Sequence, residues 1–554
     1  MFVAAGRKTR TLFIAVVFIL PIIITSCQGH RIKKSTFTNT SDAENFAEKL
    51  EKIIKPVDTI GIAKNPHTTN EYMRYVYQVT DYQSVWMEHN KPGKAATSFL
   101  QELEDVSSDG LNPEKYHLTE LKKLLGVVGG SNTNNMDSIL GLDTMLTSSY
   151  LAVTHDLLFG EIAPKLADSL WHHKNDSLFP GPQALVHIDE KYIPLNDYRS
   201  TVPTYALLRD EYKLYSDLVK NADFKNAQAK VQDAKSGTHD TAMQNAINYI
   251  MKSEVPWMDV QSNDTMSDEM QTIKWYQTYM GVRNVTGKLD TGTINRLTIT
   301  PEQQMQKLQA NLERVRWMQK DFGNLYVVVD VPLMELFLRK DGQTEMHMRT
   351  VVGKPERQTP ALDANMANVV INPPWGVPPT ILKQDVLPGI TKSGAKYLAK
   401  KGLKVYDHKG NSIRAGSVNG RNYKNYVYKQ DPGDDNALGY VKFNLPNKWD
   451  IYLHDTPHRG DFVKNYRALS SGCIRLQQPQ ELALYILSQL EGKRYTQDRL
   501  DSVIDTHKTR WEVMKTKIPV HIVYLTNFED TTGKHLKFIN DVYGRDPLLI
   551  SLLK

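Results

Sequence analysis

Apolar positions fall into distinct regimes along the 554-residue chain. From about 76 to 255 they recur at three- and four-residue spacing. Ala96 to Val106, Leu118 to Val127 and Asp143 to Phe159 each carry a stripe of helical period, and turns such as Gly110-Leu111-Asn112-Pro113 separate them. A shorter stripe around Asp42 to Ile54 predicts one more helix inside a polar, Lys-, Thr- and Asn-rich stretch, 28–75. Thr300, Pro301 and Gln303 form a clear start signal: a threonine N-cap, a proline at the first helical position and a glutamine placed for a capping box. Met305, Leu308, Leu312 and Val315 line one face of this linking helix, 301–322, so it should pack. Near residue 323 the period shifts to two. Leu325 to Val331, Glu335 to Arg339 and Met346 to Val352 read as strands, with Asp341-Gly342 as a hairpin turn. Val520 to Leu525 predicts a late strand, so truncation near residue 510 should unfold this domain. The fold class expected is α+β and multidomain: a helical domain over 76–255 and a mostly-β domain over 323–546.

The leader has its own pattern. Arg7, Lys8 and Arg10 precede thirteen apolar residues, Leu12 to Ile24. That is the length of a signal-peptide core and short of the roughly 20 residues a membrane-spanning helix needs. Ile24-Thr25-Ser26-Cys27 resembles the bacterial lipobox. The resemblance implies a cleaved leader, 1–27, acylation of Cys27 and attachment to a membrane through lipid, with 28–75 as a tether. An ordinary signal peptide with an incidental Cys27 is the alternative. Only Cys473 would then remain as a thiol, which excludes an intrachain disulfide. A net charge of +6 is too dilute to imply nucleic acid; it is compatible with an anionic cell-wall polymer, and equally with nothing in particular.

The chemistry concentrates near the C-terminus. Strand-like Trp449-Asp450-Ile451-Tyr452-Leu453 leads into His454-Asp455-Thr456-Pro457, and after a polar loop comes Ser470-Ser471-Gly472-Cys473-Ile474-Arg475, followed by a helix expected over Pro479 to Leu490. A free thiol is only a few per cent thiolate at neutral pH, so a nucleophilic cysteine needs a base, which His454 can supply. Ser471 and Gly472 let the backbone approach a substrate, and the N–H groups of Gly472 and Cys473 are candidates for binding an oxyanion. The bland alternative for Cys473 is a small buried hydrophobe.

The eighteen-residue interval between His454 and Cys473, together with the Ser-Ser-Gly-Cys-Ile-Arg string, resembles the active site of the L,D-transpeptidases, in particular the large subgroup with a helical scaffold and a peptidoglycan-binding module. Further strings match in order: Val351-Val352-Gly353-Lys354, Gln358-Thr359-Pro360, Asn372-Pro373-Pro374-Trp375, Asn436-Ala437-Leu438-Gly439, Lys442-Phe443 and Tyr543-Gly544-Arg545-Asp546. Ser471 stands where most smaller members have histidine, which fits the large subgroup. Residues 266–300, with Trp275-Tyr276-Gln277, Gly281 and Thr293 to Leu297, resemble the three-helix peptidoglycan-binding module; a helical spacer is the alternative.

The resemblance implies Cys473 as nucleophile and His454 as general base, oriented by the main-chain carbonyl of Asp455. It implies Arg475 either placing a substrate carboxylate or bracing the loop, Tyr452 and Trp375 as pocket walls, and 382–430 as a capping subdomain. It also implies peptidoglycan stem peptides as substrate, no metal and no organic cofactor. The reaction implied is attack on the third stem residue of a donor tetrapeptide, release of D-Ala and a 3→3 cross-link. Hydrolysis of the same acyl-enzyme and an inactive wall-binding tether are the alternatives.

Several patterns carry less. His454 and His458 have the spacing of helical zinc ligands, but Pro457 lies between them. Ser393-Gly-Ala-Lys396, Ser417-Val-Asn419 and Lys235-Ser-Gly occur in an order that breaks the penicillin-binding pattern. His155, His172 and His173 read as surface or core histidines.

Overall fold

A computed structural model describes residues 36–54, 68–130, 135–233, 241–257, 266–282 and 284–554. Cys27, residues 28–35 and 55–67, and Lys235 lie outside the described residues; the described part of the expected tether is folded instead, with Phe46 and Leu50 buried in the helical core because their apolar stripe finds a partner there.

The N-terminal helices form where the apolar stripes predict them: Thr40–Ile53, Lys94–Asp105, Leu118–Gly129 and the long Met136–Phe159. Trp86, Phe99, Leu146 and Tyr150 sit in the core they enclose. Met136–Phe159 is buried around most of its circumference, and its one buried carboxylate, Asp143, is satisfied by Tyr77 Oη at 2.6 Å and by the Trp86 N–H at 3.0 Å. This core ends near Tyr198. The helices that follow, Pro203–Lys220 and Thr241–Glu254, pack instead into the core of the β domain, so the helical stretch is shared between two cores.

The helix Pro301–Arg316 joins them, with the Thr300–Gln303 capping box formed. Its last turns bury charged groups, each with a partner across the seam. Arg316 donates to Glu313 and to the Asp109 carbonyl, both at 2.8 Å; Arg314 meets Asp546 at 2.5 Å; Asn311 bonds Thr526 Oγ1 at 2.9 Å. Removing one member of such a pair leaves a buried uncompensated charge, so the helix fixes the helical region to the β domain.

The β domain is a nine-stranded mixed sheet in the order Ala468–Ser470, Gln343–Gly353, Ile474–Leu476, Leu453–His454, Val441–Asn444, Leu362–Ile371, Arg510–Val523, Leu325–Asp330, Glu335–Lys340. Glu335–Lys340 also pairs with Gln343–Gly353, which closes the sheet into a barrel. Closure leaves no exposed edge between these two strands. The late strand Arg510–Val523 lies centrally, antiparallel to Leu362–Ile371 and parallel to Leu325–Asp330.

One local reading is corrected. Trp449 to Tyr452 is not a strand; pairing begins at Leu453. Asp450 takes a left-handed φ of 54°, and the Asn447 side chain binds the Trp449 and Ile451 N–H groups at 3.0 and 3.2 Å, a turn that outcompetes the β propensity of the sequence. Between Cys473 and the expected helix lies a strand without a sequence expectation, Ile474–Leu476, and the helix itself forms as Pro479–Leu484 with a π turn over Tyr485–Leu490.

The separate small unit expected over 382–430 begins earlier, at residue 375, because Trp375–Gly376 pairs with Val427–Gln430 as an edge strand of its sheet. Trp375–Gly376, Val427–Gln430, Lys404–Tyr406 and Ser412–Ile413 form a four-stranded sheet, and Leu387–Ser393 and Ala395–Lys400 are its helices. Val386, Ile390, Leu398, Val405 and Tyr428 give it a core of its own.

Candidate active site

His454 and Cys473 are brought together by strand pairing. Leu453–His454 runs parallel to Ile474–Leu476, with Leu453 opposite Ile474 and His454 opposite Arg475, so the nucleophile candidate is the residue just before its strand begins. On its other side His454 pairs with Lys442. His454, Cys473, Tyr452, Trp375, Ser471, Gly472 and Arg475 all line one cleft of about 1510 Å³ between the barrel and the 375–430 unit.

His454 is buried, and its Nδ1–H donates to the Asp455 main-chain carbonyl at 2.5 Å. That bond fixes the tautomer and leaves Nε2 with the lone pair, the form a general base requires. Burial first, and then the charges of Arg475 and Lys442, push the imidazole pKa down to about 3, so the ring is neutral across the physiological range. The Asp455 carboxylate plays a different part: it accepts the N–H groups of Tyr440 and Thr456 at 2.8 and 2.6 Å and pairs with Arg459 at 2.5 Å. Gly439 (φ 58°) passes so close that a Cβ there would lie 2.4 Å from this carboxylate, which explains the glycine in the Asn436-Ala437-Leu438-Gly439 string.

Cys473 Sγ lies 3.5 Å from the Asp450 carbonyl. Burial raises the thiol pKa, while hydrogen bonds from Tyr452 and the charge of Lys442 oppose that rise. The resting pair is therefore thiol and neutral imidazole. Tyr452 stands edge-on to His454 with ring centroids 5.5 Å apart, and the Lys442 ammonium lies 4.0 Å from the centre of the Tyr452 ring. Trp375, half-buried, reaches the Tyr452 hydroxyl from the 375–430 side.

The loop before Cys473 is tied at every step. Ser470 Oγ donates to the Cys473 carbonyl at 2.6 Å and accepts the Gly472 N–H at 3.1 Å. One of the two expected oxyanion donors, the Gly472 N–H, is thus engaged inside the loop. Gly472 itself has φ 121°, a conformation few other residues tolerate. Thr359 Oγ1 donates to the Gly472 carbonyl at 2.7 Å and accepts the Gly353 N–H at 2.9 Å, and Tyr543 Oη donates to the Gly353 carbonyl at 2.5 Å. Arg545 grips Gln358 Oε1 at 2.7 Å and Asp168 of the helical region at 2.9 Å. The Gly353, Gln358-Thr359 and Tyr543-Arg545 strings are thereby explained as the cradle of the nucleophile loop.

Ser471 is exposed and accepts from Arg357 Nη1 at 2.7 Å; the same guanidinium holds Asp385 of the 375–430 unit with a second bond of 2.7 Å. Arg475 lies 3.3 Å from Asp461, which favours the bracing role of the two expected for it. Lys442 and Arg357 are the site residues that sequence reasoning misses. Lys442 is visible in the sequence only as part of the Lys442-Phe443 string, and nothing local marks a residue that acts from a neighbouring strand.

The remaining patterns resolve structurally. His454 lies in a strand and His458 in an exposed turn, and among the described residues no cluster of three or more His, Cys, Asp or Glu is arranged to hold a metal. His173 is buried, bonded to Asp363 at 2.8 Å, and His172 stacks on Trp449 at 4.0 Å. In 266–300, Gln277 binds Thr293 Oγ1, the Lys288 carbonyl and the Gly287 N–H at 2.8, 2.9 and 2.8 Å, a purely internal knot. No helix among the described residues is long and apolar enough to cross a membrane.

Comparison with known proteins agrees with this geometry. Residues 324–520 match the family model described as L,D-transpeptidase catalytic domain (YkuD), and residues 71–211 match the one described as Scaffold domain. A Haemophilus influenzae protein named "Putative L,D-transpeptidase" is 34% identical over 244 residues, 44% of this chain and 48% of that protein. The chain thus spans about half the length of the curated relative it matches. Among solved structures, an L,D-transpeptidase from Mycobacterium smegmatis is 16% identical with a TM-score of 0.18 over 36% of this chain and 58% of that one. A mutant of the Enterococcus faecium L,D-transpeptidase is 14% identical with a TM-score of 0.18 over 37% and 52%. Scores this low add nothing to the sequence match.

Proposed function

We propose that this chain, which carries an L,D-transpeptidase catalytic domain and a scaffold domain, cross-links peptidoglycan stem peptides through a thioester on Cys473. The observation that carries this reading is the placement of Cys473 directly before the strand that runs parallel to that of His454, with the Nδ1–H of His454 bonded to the Asp455 carbonyl. His454 Nε2 takes the thiol proton as Sγ attacks the carbonyl of the third residue of a donor tetrapeptide. The tetrahedral intermediate collapses with expulsion of D-Ala, whose amine receives that proton from His454. An amine of a second stem then attacks the thioester, His454 again accepts the proton, and a 3→3 link forms with the thiol restored. Neutral imidazole is the form this sequence of steps needs, and burial supplies it.

Arg475 braces the loop through Asp461 in this scheme, and Tyr452 and Trp375 wall the pocket, with the 375–430 unit as its cap. Hydrolysis is the competing outcome when water reaches the thioester first. The location that follows is the cell envelope, with Cys27 lipidated.

Intact mass spectrometry tests the reading. The chain without residues 1–27 is incubated with disaccharide-tetrapeptide and, separately, with a carbapenem, beside Cys473→Ala. Adducts confined to Cys473 and a dimeric muropeptide lacking one D-Ala support it. Tripeptide without dimer identifies a hydrolase, and no adduct overturns the acyl-enzyme.

A further inference from the structure

The 375–430 unit is far more basic than the rest of the molecule. Its 56 residues carry eleven Lys and Arg against two Asp and no Glu, a net +9, while the whole chain sums to only +6. The remainder of the chain is therefore net negative, and the positive charge of this protein is concentrated in this unit, whose Lys400 and Lys401 line the cleft. All eleven cationic side chains are exposed.

Neither acid of the unit is available to neutralise them. Asp385 is held by Arg357 of the barrel domain, and Asp407 accepts the Lys409 and Asn411 N–H groups of its own turn, both at 2.8 Å. Lys404 pairs with Asp431 just beyond the unit. Among the described residues none forms an ion pair with Lys392, Lys396, Lys400 or Lys401. Lys396 and Lys400 stand one turn apart on the helix Ala395–Lys400, where like charges repel and weaken the helix. Lys400 and Lys401 line the same cleft as Cys473, as does Asp435 just beyond the unit. An unpaired cationic surface opening into a cleft raises the local concentration of anionic substrate and speeds its capture.

We propose that the Lys396, Lys400 and Lys401 face is a binding site for the carboxylates of peptide stems, holding the polymer that enters the cleft past Cys473. This rests on the transpeptidase reading above and assigns a substrate-recognition role to a surface distant in sequence from the catalytic loop. The stem peptide is a fitting ligand because its free carboxylates repeat along a polymer, so several weak contacts at the rim add up. Lysine suits such a surface, because a flexible point charge captures carboxylates of varied geometry without demanding one fixed pose.

The test compares the leaderless chain with its Lys396→Glu/Lys400→Glu/Lys401→Glu variant. The substrates are disaccharide-tetrapeptide with free carboxylates and the same compound with those carboxylates amidated. Integrity of the site is read by thermal melting and by alkylation of Cys473 with neutral iodoacetamide, both expected to be unchanged. On the free-acid substrate the variant should lose about tenfold in kcat/KM, carried by KM. The wild-type advantage should shrink as salt rises, since exposed charges are screened within a Debye length of about 10 Å at 0.1 M. The amidated substrate should be turned over equally by both proteins. Equal loss on both substrates, or wild-type turnover on the free acid that ignores salt, overturns the proposal. So does loss of binding to anionic phospholipid vesicles with unchanged KM, which would assign the face to a membrane surface. If wild-type alkylation proceeds but neither substrate is processed, the transpeptidase reading itself has failed, an outcome distinct from equal turnover by both proteins.

Discussion

The two walls of the cleft are built by opposite means. On the barrel wall nearly every polar group beside Cys473 is committed: Ser470 and Thr359 bond the loop itself, Tyr543 and Arg545 bond Gly353 and Gln358 behind it, and Asp455 accepts the Tyr440 N–H, all at 2.5–3.1 Å. On the facing wall the 375–430 unit has a small core, an exposed cationic surface and a tie to the barrel domain through Arg357 and Asp385. Groups that react must be held to a fraction of an ångström, whereas groups that capture a polymer gain from reach. On the proposed reading, precision comes from the barrel and capture of substrate from its neighbour.

The largest effect is expected from removing what the barrel wall depends on. Truncation near residue 510 deletes the strand between Leu362–Ile371 and Leu325–Asp330 and opens the barrel. Circular dichroism should show loss of the folded state, and a soluble fragment with native spectra would contradict the account. Cys473→Ala and His454→Ala should keep the fold but lower turnover of tetrapeptide by at least about 10³-fold, read by chromatography of muropeptides.

A smaller effect is expected at Thr359→Val, which removes the hydroxyl bridging the Gly353 N–H and the Gly472 carbonyl. Leaving buried backbone groups unpaired costs about 1–3 kcal/mol, so acylation by a carbapenem should slow about tenfold or more as the loop loosens. If the rate is unchanged, the loop is held by its other bonds alone.

The pH behaviour sharpens the picture. The thiol pKa is raised by burial, so thiolate absorbance in the far ultraviolet should be missing at neutral pH and grow in only on the alkaline side of the ordinary thiol value. Lys442→Met removes the nearest opposing charge and should move that titration further up, since a cation favours thiolate. A downward shift would exclude the electrostatic role of Lys442. For His454, whose pKa falls from 6.5 in the unfolded chain to about 3 when folded, the sign is also fixed. Its contribution to stability is present above pH 6.5 and is lost as pH drops towards 3, because the unfolded state binds the proton more readily. The acid limb of activity should accordingly not appear near the ordinary histidine value.

The smallest effect concerns the seam between the walls. Arg357→Met frees Asp385 and Ser471, both exposed, so the tie is worth no more than about 1 kcal/mol. The expected result is a modest rise in tripeptide relative to dimer, because water gains access to the thioester; an unchanged ratio would separate the Arg357 tie from acceptor control.

Much of this protein is determined by local sequence. The capping box at Thr300 to Gln303, the helical stripes of Lys94–Asp105 and Leu118–Gly129 and the alternation of Leu325–Asp330 are properties of a few neighbouring residues, and they form where expected. The candidate pair of His454 and Cys473 is legible for the same reason, since its residues sit in two short strings. The turn at Asn447–Ile451 departs from expectation because one side chain overrides β propensity, and the strand after Cys473 because its partner lies far back in the sequence, at Leu453–His454. Tertiary structure alone decides that Lys442 lies against Tyr452, that Thr359 and Tyr543 cradle the Gly472 loop, that the helical stretch is divided between two cores and that Lys400 and Lys401 open onto the cleft. Spacing along a chain fixes which face of a helix or strand a residue occupies, but the neighbour it meets is set by which elements pair, and pairing depends on burial summed over the whole domain.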